Sequence, residues 1–146
     1  MLNWSYKGKE IKKLDELSST SIFGFVYLLT FNDGTQYIGR KEVFKNLKLP
    51  ALKSGQPRPG STRIAKNKNG KRVFFDIVQK ESNWKTYKSS SKLIGDRTIV
   101  SKEILQLASS KRNLTYLETK YLFTYSVLES TNFLNENILG KFYSQI

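Results

Sequence analysis

Residues 22 to 39 constrain this chain most. Ile22-Phe23-Gly24-Phe25-Val26-Tyr27-Leu28-Leu29-Thr30-Phe31 is a β-branched and aromatic run, Asn32-Asp33-Gly34 is a tight-turn signal, and Thr35-Gln36-Tyr37-Ile38-Gly39 returns to an extended pattern. Two such runs around a short glycine turn specify a β-hairpin. Elsewhere the patterns are coarser. Lys9 to Leu17 places Ile11, Leu14 and Leu17 three residues apart and predicts a short amphipathic helix. Arg72 to Val78 predicts a strand, and Ser89-Ser90-Ser91 offers an N-cap to a helix carrying Leu93 and Ile94. Thr98 to Ala108, with Ile99, Val100, Ile104, Leu105 and Leu107, is read as a strand. From Asn113 onward Leu114, Leu117, Tyr121, Tyr125 and Leu128 keep to one side of a helix, and Thr115-x-x-Glu118 fits a capping box. The tail from Phe133 to Tyr143 keeps enough apolar residues to pack back on the core.

A length of 146 residues suits one domain. No cysteine and no histidine are present. Disulfides, thiolate catalysis, zinc modules, the imidazole base and His-ligated metals are therefore excluded, and any catalysis must use Tyr, Glu, Asp, Lys, Arg or Ser. The opening Met1-Leu2-Asn3-Trp4-Ser5-Tyr6-Lys7 lacks the apolar run of a signal peptide. No stretch approaches the roughly 18 apolar residues of a membrane span. The expectation is a soluble protein of the cytoplasm, with no membrane partner.

The formal net charge is +13, and its distribution points to a polyanion. Residues 41 to 72 carry Lys41, Lys45, Lys48, Lys53, Arg58, Arg63, Lys66, Lys68, Lys71 and Arg72 against Glu42 alone, a net of +9. The same segment holds Pro50, Pro57 and Pro59 with Gly55, Gly60 and Gly70, which predicts a long basic insertion with little regular structure. Holding that charge together involves self-repulsion that a phosphate backbone relieves by releasing counterions. These basic residues are therefore candidates for nucleic-acid contact, with Lys85, Lys88 and Lys92 as a second group. A solvated loop that merely aids solubility is the plainer reading.

Phe25-Val26-Tyr27 followed by Tyr37-Ile38-Gly39-Arg40-Lys41 resembles the paired motif of the GIY-YIG nuclease family. Trp84-Lys85-Thr86-Tyr87-Lys88-Ser89-Ser90 resembles the Trp-Lys-x-Tyr-x-Gly-Ser segment of its Seg-type phage branch, and Leu114-Thr115-Tyr116-Leu117-Glu118-Thr119-Lys120 resembles that branch's Tyr-Leu-Glu helix. The opening Trp4-Ser5-Tyr6-Lys7-Gly8-Lys9-Glu10 and the closing Phe133-Leu134-Asn135-Glu136 fit it too. The resemblance implies an α+β fold, a small three-stranded antiparallel sheet flanked by helices, here with the basic insertion at about 41–72 of a single domain. It also implies an endonuclease of phage or mobile-element origin that cuts or nicks double-stranded DNA with one Mg2+ (or Mn2+) per active site. Carried over by position, Tyr27 and Tyr37 are the motif tyrosines, Glu118 is the metal ligand and Asn135 is the family's late asparagine. Arg40, Lys41 and Lys85 are candidates for the basic residue that faces the scissile phosphate. The chain departs from the pattern at Phe25-Val26, where the family has Gly-Ile and the glycine stands one place earlier as Gly24, and at Ser89, which replaces a glycine.

Each assignment has a plainer counterpart. Strand tyrosines usually pack a core, position N3 of a capping box explains a glutamate, and an asparagine caps turns. A free phenol with a pKa near 10 is a poor base at pH 7, so a cation beside Tyr37 and the metal would have to favour phenolate. Asp96 with Glu118-Thr119-Lys120 would match restriction-type nucleases only if Glu118 lay on a strand. The rival from another class is a non-catalytic basic protein that only binds nucleic acid; a binder of acidic membranes ranks below it, since the basic segment lacks an amphipathic helix.

Overall fold

Gly24 to Phe31 is apolar at nearly every position because the strand it forms is covered on both faces. The computed structural model describes residues 2–17, 21–50, 63–66, 69–138 and 142–143. In chain order the elements are β1 (Trp4–Tyr6), β2 (Lys9–Ile11), β3 (Gly24–Phe31), β4 (Gln36–Glu42), β5 (Phe44–Pro50), β6 (Arg63–Lys66), β7 (Arg72–Glu81), β8 (Ile99–Ala108), α1 (Lys111–Thr124), β9 (Asn137–Ile138) and β10 (Phe142–Tyr143), with short 3-10 turns at Leu14–Glu16, Lys92–Ile94 and Val127–Glu129. Contacts divide the chain into two compact units, Met1–Val43 with Asn83–Ile146, and Phe44–Ser82.

The first unit is built on a mixed five-stranded sheet in the order β2-β1-β8-β3-β4. The predicted hairpin is its centre: β3 and β4 pair antiparallel from Gly24↔Glu42 to Thr30↔Gln36. Its turn is closed by Phe31 N–H to the Thr35 carbonyl at 2.9 Å, with Gly34 at φ +86° and the Asp33 carboxylate accepting from Thr35 N–H. The predicted strand over 98–108 is β8, antiparallel to β3. The expected three-stranded antiparallel sheet is thus enlarged. A second hairpin, β1–β2, joins β8 through a parallel β1.

That second hairpin also overturns the helix expected over Lys9–Leu17. Lys7 (φ +52°) and Gly8 (φ +81°) make a two-residue turn with positive φ at both positions, the kind whose twist matches paired strands. It folds Lys9–Ile11 back so that Ile11 faces Trp4, leaving only Leu14–Glu16 as a helical turn.

The sheet separates two apolar layers. On one face Val26, Leu28, Ile38 and Ala108 pack against Leu114, Leu117 and Leu122 of α1 and Ile138 of the tail. On the other, Trp4 stands edge-on to Phe25 at 5.1 Å and lies 5.3 Å from the Tyr27 ring, while Trp84 meets Phe25 at 6.2 Å. The buried Trp4 indole N–H donates to the Trp84 carbonyl at 2.6 Å. Helix α1 starts earlier than its expected capping box. Ser110 is the N-cap, accepting from Asn113 N–H at 3.0 Å, and the Asn113 side chain accepts in return from Ser109 N–H. Thr115 lies inside the helix and donates to the Lys111 carbonyl. Glu118 is therefore not the N3 residue of a cap, and it is not on a strand.

The second unit corrects the expectation of a loop with little regular structure. Its three strands form an antiparallel sheet in the order β5-β7-β6, and β7 runs to Glu81, beyond the Val78 expected. Pro50 is tolerated as the last residue of an edge strand. The register sets Lys45 opposite Lys80 and Lys66 opposite Arg72. Lys53, Arg58 and Lys68 lie outside the described residues. No helix among the described residues is long and apolar enough to cross a membrane.

Ser110→Ala should lower the free energy of unfolding by about 1 kcal/mol in urea titrations, the usual value of an N-cap. A loss under a few tenths would show that α1 does not depend on this cap.

Candidate active site

Alternation along β4 puts Tyr37, Gly39 and Lys41 on one face and Ile38 and Arg40 on the other. Gly39 is opposite Tyr27 in the register, and a Cβ on it would meet the Tyr27 hydroxyl and lie 2.6 Å from Cζ. The Tyr27 ring lies across the bare backbone of Gly39. Gly24 has a similar reason to be glycine, since a Cβ there would lie 2.5 Å from the Lys41 carbonyl oxygen and 3.0 Å from Leu114 of α1.

The segment after Trp84 supplies polar partners for the phenols. Ser89 stands at φ +75°, where glycine is the easy residue, and its hydroxyl bonds both Tyr27 and Tyr37. Tyr37 also bonds Ser91, and Tyr27 also bonds Tyr87, whose ring stands 6.1 Å away. Ser89 thus replaces the family's glycine in a backbone conformation that suits glycine, and adds a hydrogen bond that glycine could not.

Burial pushes the Tyr27 phenol far above its ordinary value. It pushes Tyr37 up as well, and the charge of Glu118 adds to the rise while Ser91 opposes it. The charged neighbour that acts on Tyr37 here is the Glu118 carboxylate, which disfavours phenolate. Both phenols are neutral at pH 7 and act as hydrogen-bonding groups.

Glu118 comes from the middle of α1. Burial raises its carboxyl above the usual range, and Arg40 pulls it back. Arg40 Nε lies 3.8 Å from Glu118 Oε1, and its Nη1 donates to Thr115 Oγ1 at 2.6 Å. Among the described residues there is no group of three or more carboxylate, imidazole or thiolate ligands. A divalent ion would therefore meet one carboxylate and hydroxyl oxygens, and take the rest of its shell from water and phosphate. That donor set suits Mg2+ or Mn2+, which bind through one or two carboxylates and keep several waters.

The structure pairs Arg40 with Glu118 and sets Tyr27 close enough to Tyr37 for each phenol to act on the other's neighbourhood, the two pairs being linked by the Glu118 charge felt at Tyr37. Lys41 joins them indirectly, with its ammonium 4.1 Å over the Tyr87 ring. Lys85 is exposed, its ammonium 5.9 Å from the Trp84 ring centre. The buried Asn135 side chain accepts from Ile38 N–H at 3.1 Å and donates to the Ile38 carbonyl at 2.8 Å, so it clamps β4 between Tyr37 and Gly39. Lys88 and Lys92 are exposed in the segment that carries Ser89 and Ser91. Lys45, Lys48, Lys71 and Arg72 are exposed in the second unit, where Arg63 and Lys66 sit in β6. Sequence reasoning missed Ser91 and Tyr87 as partners of the phenols; their signal was the hydroxyl-rich run Tyr87-Lys88-Ser89-Ser90-Ser91 shortly after a tryptophan.

A family model described as "Putative endonuclease segE, GIY-YIG domain" matches residues 4–138. No curated protein and no solved structure matches the chain.

Because burial raises the Glu118 pKa in the fold, its contribution to stability is fully present below the ordinary glutamate value of about 4.3 and is lost as pH rises through the folded value. Glu118→Gln stays neutral throughout. At pH 7 this variant should melt no lower than wild type, and any advantage should vanish toward pH 4 in a series of thermal melts. A melting temperature well below wild type at pH 7 would make Glu118 a packing residue.

Proposed function

The chain belongs to the Seg-type GIY-YIG endonuclease family, and from that premise we propose that it is a divalent-metal-dependent endonuclease that cuts or nicks double-stranded DNA, encoded by a phage or another mobile element. The observation that carries the reading is the pairing of Glu118 of α1 with Arg40 of β4 at 3.8 Å, with the Glu118 charge acting on the phenol of Tyr37 in the same strand. A strand tyrosine and a capping glutamate explained by packing alone would have no reason to converge.

Phosphodiester hydrolysis needs a deprotonated water, a Lewis acid and positive charge around the phosphate. Glu118 is the residue that would hold the ion, one Mg2+ or Mn2+ per active site, and when bound the ion supplies Lewis acidity and an acidified water. Arg40 faces the charge that develops on the phosphate. Tyr37, neutral and bonded to Ser89 and Ser91, donates to a water or a phosphate oxygen. Tyr27 and Asn135 act as positioning residues, the one by fixing Ser89 and the other by fixing the backbone of Ile38. Lys41 and Lys85 stand further back, over Tyr87 and Trp84.

The test is a supercoiled plasmid incubated with magnesium or with chelator. Nicked or linear product should form only with magnesium and should be absent with Glu118→Gln, while Tyr37→Phe should slow the reaction by more than about tenfold, the lower end of what a positioned proton-transfer or hydrogen-bonding group contributes. Equal cutting by Glu118→Gln, or cutting in chelator, would end this reading in favour of a protein that only binds nucleic acid.

Positive charge for holding DNA comes mainly from the second unit, with Lys45, Lys48, Lys53, Arg58, Arg63, Lys66, Lys68, Lys71 and Arg72 as phosphate contacts. Lys80, opposite Lys45, joins them. Like charges directly across two strands are unfavourable until an anion lies between them. Changing Lys45 and Lys80 together to Gln should flatten the dependence of log affinity on log salt by about 0.9 for each side chain that touches a phosphate, with no loss of thermal stability. An unchanged slope would return the segment to a solubility role.

A further inference from the structure

Ser89 and Ser91, whose hydroxyls bond the two phenols, also line a cavity of about 520 Å³. Two lysines meet on its wall. Lys88 is exposed, and Lys102 of β8 is 4 % exposed. The Lys102 ammonium sits 4.4 Å over the Trp4 ring and donates to the Lys85 carbonyl at 3.3 Å. Among the described residues neither lysine lies within ion-pair distance of a carboxylate. Arg97, the third cation of the wall, is neutralised by Asp33 at 2.9 Å and donates to the Leu93 and Ile94 carbonyls.

A buried ammonium beside a second ammonium is unfavourable without a counter-charge. Burial and the charge of Lys88 push Lys102 down to about 8. The rest of the wall carries the hydroxyls of Thr98 and the two serines, while the Thr86 hydroxyl donates to the Asn83 carbonyl. Two ammoniums ringed by hydroxyls match an oxyanion with several acceptor oxygens, such as a phosphate. The cavity has no aromatic ring among its described lining residues, so it offers nothing on which a nucleobase could stack.

We propose that this cavity is a phosphate subsite, in which Lys102 and Lys88 hold a backbone phosphate of the nucleic acid next to the one that is cut. The proposal rests on the nuclease reading for the identity of its ligand. Glu118 and Arg40 do not line the cavity, so its occupant is not the scissile group. The shared serines put the two phosphates on either side of one hydroxyl pair, and holding the neighbouring phosphate would fix the strand against Tyr37.

The experiment uses the full chain, inorganic phosphate as the first probe and a short labelled duplex in chelator as the second. At matched ionic strength, phosphate should raise the melting temperature of the wild type above that in chloride. The rise should disappear in Lys102→Met, which keeps an unbranched apolar side chain in the buried position beside Trp4, and in Lys88→Gln, a change at an exposed residue. Duplex binding by anisotropy should lose about one unit of salt slope in each variant. A rise that persists in Lys88→Gln and in Lys102→Met would overturn the subsite. A rise that disappears while the duplex salt slope stays unchanged would overturn its assignment to a backbone phosphate. Because binding is measured in chelator, a wild type that fails to cut plasmid would remove the nuclease reading without altering these results.

Discussion

The site depends on a phenol buried in a strand that has water on neither face. Tyr27 is 2 % exposed in the middle of β3. A hydroxyl in that position destabilises the fold unless it is hydrogen-bonded, and its ring needs a flat surface to lie on. Gly39 provides the surface and Ser89 with Tyr87 provides the bonds. To reach the phenol, Ser89 adopts a backbone conformation that strains a residue with a Cβ by roughly 1–3 kcal/mol. Three stretches that look independent in the sequence, 25–27, 37–41 and 84–91, are thus one interlocking arrangement.

Strand β4 carries the consequence outward. It is the edge of the main sheet, and the ladder beyond it is continued by the tail: Gln36 N–H donates to the Asn132 carbonyl, Leu134 N–H to the Gln36 carbonyl, and Asn135 takes both backbone groups of Ile38. A slip of one residue there would exchange the faces of Tyr37 and Arg40. The double hydrogen bond to Ile38 opposes that slip at the residue between Tyr37 and Gly39. Asn135, far along the chain, thereby fixes the strand that carries Tyr37 and Arg40, through a side chain bonded to backbone.

Legibility followed how local each signal was. The β3–β4 hairpin could be read because Asn32-Asp33-Gly34 specifies its turn within a few residues, and β8 and α1 because their apolar positions repeat with a clear period. The β1–β2 hairpin was missed because Ile11, Leu14 and Leu17 also satisfy helical spacing, and the deciding feature, positive φ at Lys7 and Gly8, is a weaker signal at lysine. The strands of the second unit were hidden by charge and proline, although Leu47 and Leu49 alternate with Asn46 and Lys48 in a strand's rhythm. At the site, Tyr27, Tyr37, Arg40 and Glu118 were nameable from motifs. The neutral state of the phenols was not, since it follows from burial and from Glu118, neither of which a motif records. The capping box at Thr115-x-x-Glu118 was a coincidence of residue types one turn too late, because Ser110 makes a better cap with Asn113.

The two units divide the chain's charge in a way that suits the chemistry. Phe44–Ser82 holds ten basic residues against two acidic ones, eight of the thirteen net positive charges in about a quarter of the length. Long-range attraction of a polyanion works through water and does not require contact with the reacting groups. A half-buried carboxylate is different: any lysine that reached Glu118 would pair with it and compete with a divalent ion for its oxygens. Arg40 avoids that outcome in part because its guanidinium is shared with Thr115 and lies at 3.8 Å rather than at close ion-pair distance. Most of the surplus cations thus belong to a compact unit other than the one that carries Glu118, a division that fits the proposed reading, in which long-range attraction and the carboxylate chemistry are separate tasks.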